Sequence, residues 1–149
     1  MKVRLSLLNQ NIEDIEFNEL FKNHEQTIIY FYPEDGTPWC TIEAKDFSEN
    51  YAIFRKYNIW VYGISKDSDN SHCNFITKHG LSIPLISDPD LLLHKKYNAL
   101  SEKNVYGGMA TWTIRCTFLL DKKWNIIKER NNVQPGNHVQ NIISTLWLE

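Results

Sequence analysis

Two stretches of the chain are apolar at nearly every position, TIIYFY (27–32) and IWVYGIS (59–65). Both are rich in aromatic and β-branched residues, and a strand without polar alternation is one covered on both faces. They predict two strands at the centre of a sheet. Between them Cys40, Ala44, Phe47, Tyr51 and Phe54 recur at spacings of four, three, four and three, which is one face of a helix. A second helix is predicted from Asp69 to about His79, a short strand at IPLIS (83–87), and a further helical turn or two at LLLHKKY. IRCTFLLD followed by WNIIKER reads as a hairpin around Asp121 to Lys123, and Val139, Ile142, Ile143 and Leu146 form the apolar stripe of a final helix. Strands alternating with helices and closing on an antiparallel hairpin give an α/β sandwich.

No repeat, low-complexity segment or linker interrupts this pattern, and 149 residues are the size of one domain, so residues 1–149 are expected to fold as a single unit. With 16 basic against 18 acidic residues there is no positive surplus to hold nucleic acid or an anionic membrane. The opening MKVRLSLLNQNIEDIEF has no signal-like apolar run, and no eighteen consecutive residues are apolar, so a soluble cytoplasmic protein is expected. Three widely spaced cysteines without a CxxC pair argue against a disulfide framework and a structural zinc site; free thiols are expected. His24, His72, His79, His94 and His138 show no ligand-like spacing, so neither a metal nor another cofactor is expected.

One of those thiols is placed for chemistry. Cys40 follows a buried strand and falls in the first turn of the first helix, where unpaired N–H groups and the macrodipole favour an anion. Such positions, with a cation nearby, lower a thiol from ~8.5 into the range of ~3.5–7.5. Thr37 supplies a hydroxyl three residues upstream, and Pro33 and Pro38 take freedom out of the turn. By position alone Cys40 is either a reactive thiolate or one more small buried hydrophobe.

Pro33, Thr37 and Cys40 reproduce a PxxxTxxC signature, and FYPEDGTPWCTIEA resembles the active-site segment of the peroxiredoxins in its bacterioferritin comigratory protein (PrxQ) form. SHCNFITKHGLSIPLISDPD, VYGG and IRCTFLLD resemble later segments of the same family, in order and at family-like spacing, so the likeness covers residues 26–149. It implies a thioredoxin-like fold, α/β with a central mixed sheet flanked by helices. It also implies a thiol peroxidase that reduces hydrogen peroxide and organic hydroperoxides for antioxidant defence, through a sulfenic acid at Cys40. In that scheme Cys40 is the peroxidatic cysteine and Thr37 orients the peroxide. Arg115 steadies the thiolate and the breaking O–O bond, and Glu43, one helical turn after Cys40, orients Arg115 or is an exposed helix glutamate. Strand alternation sets Arg115 with Thr117 on one face and Cys116 with Phe118 on the other, leaving Cys116 as core.

The chain departs from the family pattern near the thiol. Trp39 stands where a small residue is usual, and either narrows access or is a packed surface aromatic. Lys45 stands where many members carry a resolving cysteine. Cys73, about one turn before the alternative resolving position, is then a possible resolving cysteine or an incidental one; a sulfenic acid that persists until an external thiol meets it is the favoured outcome. Thioredoxin, glutaredoxin or a small thiol is the implied reductant, and a monomer the expected state. The alternative from another class is a non-enzymatic thioredoxin-fold redox sensor, in which Cys40 oxidation controls partner binding.

Overall fold

A computed structural model of the chain describes residues 2–7, 11–22, 25–131 and 138–144. The elements run β1 (Lys2–Ser6), β2 (Ile12–Glu16), a short 3-10 turn (Phe17–Phe21), β3 (Gln26–Phe31), α1 (Pro38–Glu49), α2 (Tyr51–Lys56), β4 (Ile59–Ser65), α3 (Asp69–His79), β5 (Leu85–Ser87), α4 (Leu92–Lys96), β6 (Leu100–Val105), β7 (Gly108–Thr113), β8 (Cys116–Leu120), β9 (Ile126–Arg130) and α5 (His138–Ser144). Seven strands form one sheet in the order β2-β1-β5-β4-β3-β8-β9, while β6 and β7 make a separate hairpin. The three central strands are parallel, and β1 and β8 flank them antiparallel, so the sheet is mixed.

The two continuous apolar runs occupy the middle of this sheet and are covered on both sides. Ile28, Tyr30, Val61 and Leu119 pack on one face with Cys40, Ala44 and Phe47 of α1, Phe75 and Ile76 of α3, and Val139 and Ile142 of α5. Ile29, Phe31, Tyr62, Ile64, Cys116 and Phe118 fill the other face with Leu20, Phe21, Leu93 and Tyr97. Gly63 makes the first layer possible. A Cβ there would lie 2.8 Å from both the Tyr30 hydroxyl and Leu85 Cδ2, so the absent side chain is the space that the Tyr30 ring end occupies. That ring stacks on Phe47 with centroids 4.5 Å apart, tying β3 to α1.

Local structure departs from the sequence pattern after β3 and at β5, and β1, β2, β6 and β7 are strands that the pattern did not predict. The helix after β3 is two helices, because Asn50 turns out of the helical region (φ −99, ψ 7); its N–H and side-chain amide both donate to the Asp46 carbonyl at 3.2 and 2.8 Å and close α1. Phe54 of α2 nevertheless stays in the same core layer. β5 spans Leu85–Ser87 and not 83–87, since Pro84 has no N–H to give a ladder and contributes only its carbonyl, to Gly63 N–H at 3.2 Å. VYGG is the tight turn joining β6 to β7, with Gly107 at φ +84. Leu146 lies outside the described residues. Among the described residues β2 and β9 are the outer strands of the sheet; Glu13 and Asp14 on the one, and Lys128 and Glu129 on the other, are exposed, as are Ile12, Ile126 and Ile127.

Candidate active site

The turn from β3 into α1 puts Cys40 where the strand and helix meet. Thr37 is the N-cap residue in an extended conformation (φ −70, ψ 153) and Pro38 is the first helical residue, where a missing N–H costs nothing. The Thr37 carbonyl accepts from the Thr41 N–H at 2.9 Å and the Thr41 hydroxyl at 2.7 Å. Among the described residues the Thr37 hydroxyl makes a long contact to the Glu34 carbonyl, 3.4 Å, and is not committed to capping its own helix. Pro33 and Thr37 are half-buried and Cys40 is 1% exposed. Gly36 turns the chain at φ +81, in the left-handed region that favours glycine.

Arg115 reaches this thiol from the other end of the sequence. It sits in the short link between β7 and β8 rather than on a strand, and the alternation predicted for it continues through β8: Thr117 and Leu119 share its face, Cys116 and Phe118 the opposite one. Its Nη2 donates to Cys40 Sγ at 3.0 Å while Nη1 donates to Glu43 Oε1 at 3.2 Å. One planar fork therefore holds both groups, which a lysine ammonium could not do in the same geometry. Glu43 is 1% exposed, so it is no surface helix glutamate, and the Arg115 side chain is 19% exposed. Burial pushes the Glu43 carboxyl up to about 8, against the opposing pull of Arg115.

The remaining thiols have other surroundings. Cys116 lies in the far core layer, and burial pushes its thiol up to about 12. Cys73 is half-buried on α3, and all three cysteines are unpaired. Trp39 is 58% exposed beside Cys40, a surface aromatic; Lys45 is exposed. Three histidines are bound into polar contacts that no sequence spacing announced, His72 with Asp35, His94 with Asp88 and Thr113, and His138 with Thr117, while His79 packs edge-on against the Phe75 ring. His24 lies outside the described residues. Among the described residues no three His, Cys, Asp or Glu side chains converge as a metal site.

An arginine bridging a buried thiol and a buried carboxyl at the start of a helix is an arrangement that can hold negative charge on sulfur. Residues 2–129 match the AhpC/TSA family. The chain belongs to that family. Among curated AhpC/TSA relatives, the putative peroxiredoxin bcp of Helicobacter pylori (strain 26695) is 36% identical over 140 residues, 94% of this chain and 91% of the relative. Peroxiredoxin Bcp of Xanthomonas campestris is 37% identical over 119 residues, 80% of this chain and 74% of that protein. Among solved structures, Xanthomonas campestris peroxiredoxin Q superposes with a TM-score of 0.85 at 32% identity, covering 99% of this chain and 89% of that one. This AhpC/TSA protein is thus a peroxiredoxin of the Bcp/PrxQ subfamily with the thioredoxin-like fold, a thiol peroxidase that takes a peroxide as oxidant and a thiol as reductant. The relatives favour this enzyme over the non-enzymatic sensor.

Proposed function

We propose that Cys40 is the nucleophile of this peroxidase. Its sulfur attacks one peroxide oxygen; the S–O bond forms as the O–O bond breaks, sulfur loses two electrons, and water or an alcohol leaves after taking up a proton. Arg115 stabilises the charge spreading over the three reacting atoms, Glu43 holds Arg115 to that task, and the uncommitted Thr37 hydroxyl and the Cys40 N–H orient the peroxide. Pro33 shields the thiol at the turn. The observation that carries the reading is the single guanidinium spanning Cys40 and Glu43.

A thiol of the reductant then condenses with the sulfenic acid, releasing water, and a second thiol frees Cys40 as a disulfide departs. We assign that reductant to thioredoxin, glutaredoxin or a small thiol. Xanthomonas campestris bacterioferritin comigratory protein is described by its alkyl peroxide reduction activity, and we propose organic hydroperoxides beside hydrogen peroxide as substrates here. We further propose a cytoplasmic monomer folded as a single domain. Unpaired thiols, charged outer strands and one sheet shared by both core layers support this reading, as does the lack, among the described residues, of a helix able to cross a membrane.

The test is Cys40→Ser. Peroxide consumption should vanish while the circular dichroism spectrum stays, and intact mass after one equivalent of peroxide should show a dimedone-trapped sulfenic acid in the parent protein alone. Activity in Cys40→Ser above a few per cent of the parent rate means that the nucleophile is another group.

A further inference from the structure

Asp35 lies in the middle of the turn that leads to Cys40, between exposed Glu34 and exposed Gly36, yet its own side chain is only 6% exposed. Three groups converge on its carboxyl. The Tyr32 hydroxyl donates to Oδ1 at 2.6 Å, the Ser71 hydroxyl donates to Oδ2 at 2.8 Å, and His72 Nδ1 lies 2.7 Å from Oδ2. The Asp35 N–H in turn donates to Asp67 Oδ2 at 2.8 Å, an oxygen that also accepts from the Ser65 hydroxyl. Ser71 and His72 belong to α3, so a helix remote in sequence grips this turn through one carboxyl.

His72 is fully buried, and the direction of its contacts follows from its partners. Nε2 is 3.1 Å from the Ile86 carbonyl, which only accepts, so Nε2 carries a hydrogen. Nδ1 meets a carboxyl oxygen, and that contact too needs a hydrogen between the heavy atoms. The ring thus links the β5 backbone on one side to the Cys40 turn on the other. None of the steps assigned to Cys40, Thr37, Arg115 and Glu43 uses it.

We propose that His72 is a positioning residue for peroxide attack. By holding Asp35 it fixes the 33–37 turn, and through that turn the Thr37 hydroxyl and the first residues of α1, in the geometry that receives the oxidant. The inference rests on reading Cys40 as the nucleophile. Displacement of a reacting group by about 1 Å costs on the order of 100-fold in rate, so the carboxyl through which α3 holds the turn, and the ring that holds that carboxyl, bear on the rate of attack.

His72→Asn and His72→Gln separate positioning from packing. Both remove the ring, but the Asn amide nitrogen falls near Nδ1 and can still donate to Asp35, whereas the Gln amide falls near Nε2 and serves only Ile86. Peroxide attack is followed in the pre-steady state by tryptophan emission, with Cys40 alkylation by iodoacetamide measured in parallel. His72→Gln should slow peroxide attack about tenfold or more while alkylation stays within about threefold, and His72→Asn should remain within about threefold of the parent in both. Equal slowing in the two variants, or none in either, overturns the inference. Tyr32→Phe keeps a ring in the core and removes one Asp35 donor, so it serves if the histidine variants do not fold; it should slow attack about threefold to tenfold, and an unchanged rate counts against the proposal. Cys40→Ser run alongside distinguishes the two failures. If it still consumes peroxide, the reading of the nucleophile is wrong; if it is inactive while His72→Gln is unimpaired, only the positioning role falls.

Discussion

Arg115 sets one guanidinium nitrogen 3.0 Å from the sulfur of Cys40, a residue 75 positions earlier in the chain. The contact crosses from the β7–β8 link to the first turn of α1 and brings a full positive charge against the buried thiol. Arg115→Ala should therefore lower the rate constant for peroxide attack by about 100-fold or more at fixed pH, as loss of a charge-stabilising donor does in other active sites. Arg115→Lys should recover little of this, because an ammonium cannot reach sulfur and carboxyl with a planar fork. Stopped-flow measurement with hydrogen peroxide checks both, and a parent-like rate in Arg115→Ala would make the arginine structural.

Glu43 makes stability depend on pH. Burial raises its carboxyl from 4.5 to about 8, so the folded protein binds this proton more tightly than the unfolded chain does. The stabilising contribution of the protonated form is fully present below 4.5 and is lost as pH rises towards 8. Chemical denaturation at a series of pH values should show the parent losing stability across that window, and Glu43→Gln should flatten the slope. A slope that the substitution leaves unaltered would place its origin elsewhere.

Cys73 bears on how the sulfenic acid is removed. It is half-buried on α3, Cys40 is buried on α1, and a bond between them needs their Cα atoms within roughly 7 Å. We expect Cys73→Ser to leave turnover with a dithiol donor, and sensitivity to overoxidation by excess peroxide, within about twofold of the parent. A peptide map of the oxidised parent with Cys40 linked to Cys73 in most molecules would reverse this expectation.

Gly63 offers a test of the core. An alanine methyl would meet the Tyr30 hydroxyl and Leu85 Cδ2 at 2.8 Å, in a layer already filled by Phe47 and Val61. Gly63→Ala should cost about 1–3 kcal/mol, the usual range for overpacking, read as a lower denaturation midpoint at unchanged m-value. Since Tyr30 stacks on the helix that carries Cys40, a loss of peroxidase rate should accompany it.

What could be read from the chain alone divides along physical lines. β3, β4 and α3 were legible because runs such as IWVYGIS and a helix closed by Gly80 in the left-handed region carry their signal locally. The break at Asn50 was not, since Tyr51 and Phe54 keep the helical phase across it and the interruption lies in the backbone angles of one residue, whose N–H and side-chain amide share the Asp46 carbonyl. The β6–β7 hairpin was missed because LSEKNV is largely solvent-facing and shows no apolar period. At the site, Pro33, Thr37 and Cys40 form a contiguous motif. The burial of Glu43 depends on a partner 72 residues away, and that of Asp35 on one 37 residues away. A lone acidic residue in a helix or turn reads as solvated until the fold supplies its partner.

The charged outer strands have a consequence for the protein in crowded solution. A sheet that ends in open N–H and C=O groups is a template on which another chain can add, and each added copy exposes a fresh template. Growth from β2 would stack Glu13 and Asp14 of one molecule against the same acids of the next, and growth from β9 would need Lys128 and Glu129 to surrender their water. Charge at these positions opposes such addition, and Ile126 and Ile127, exposed beside Lys128, make the β9 edge the less guarded of the two.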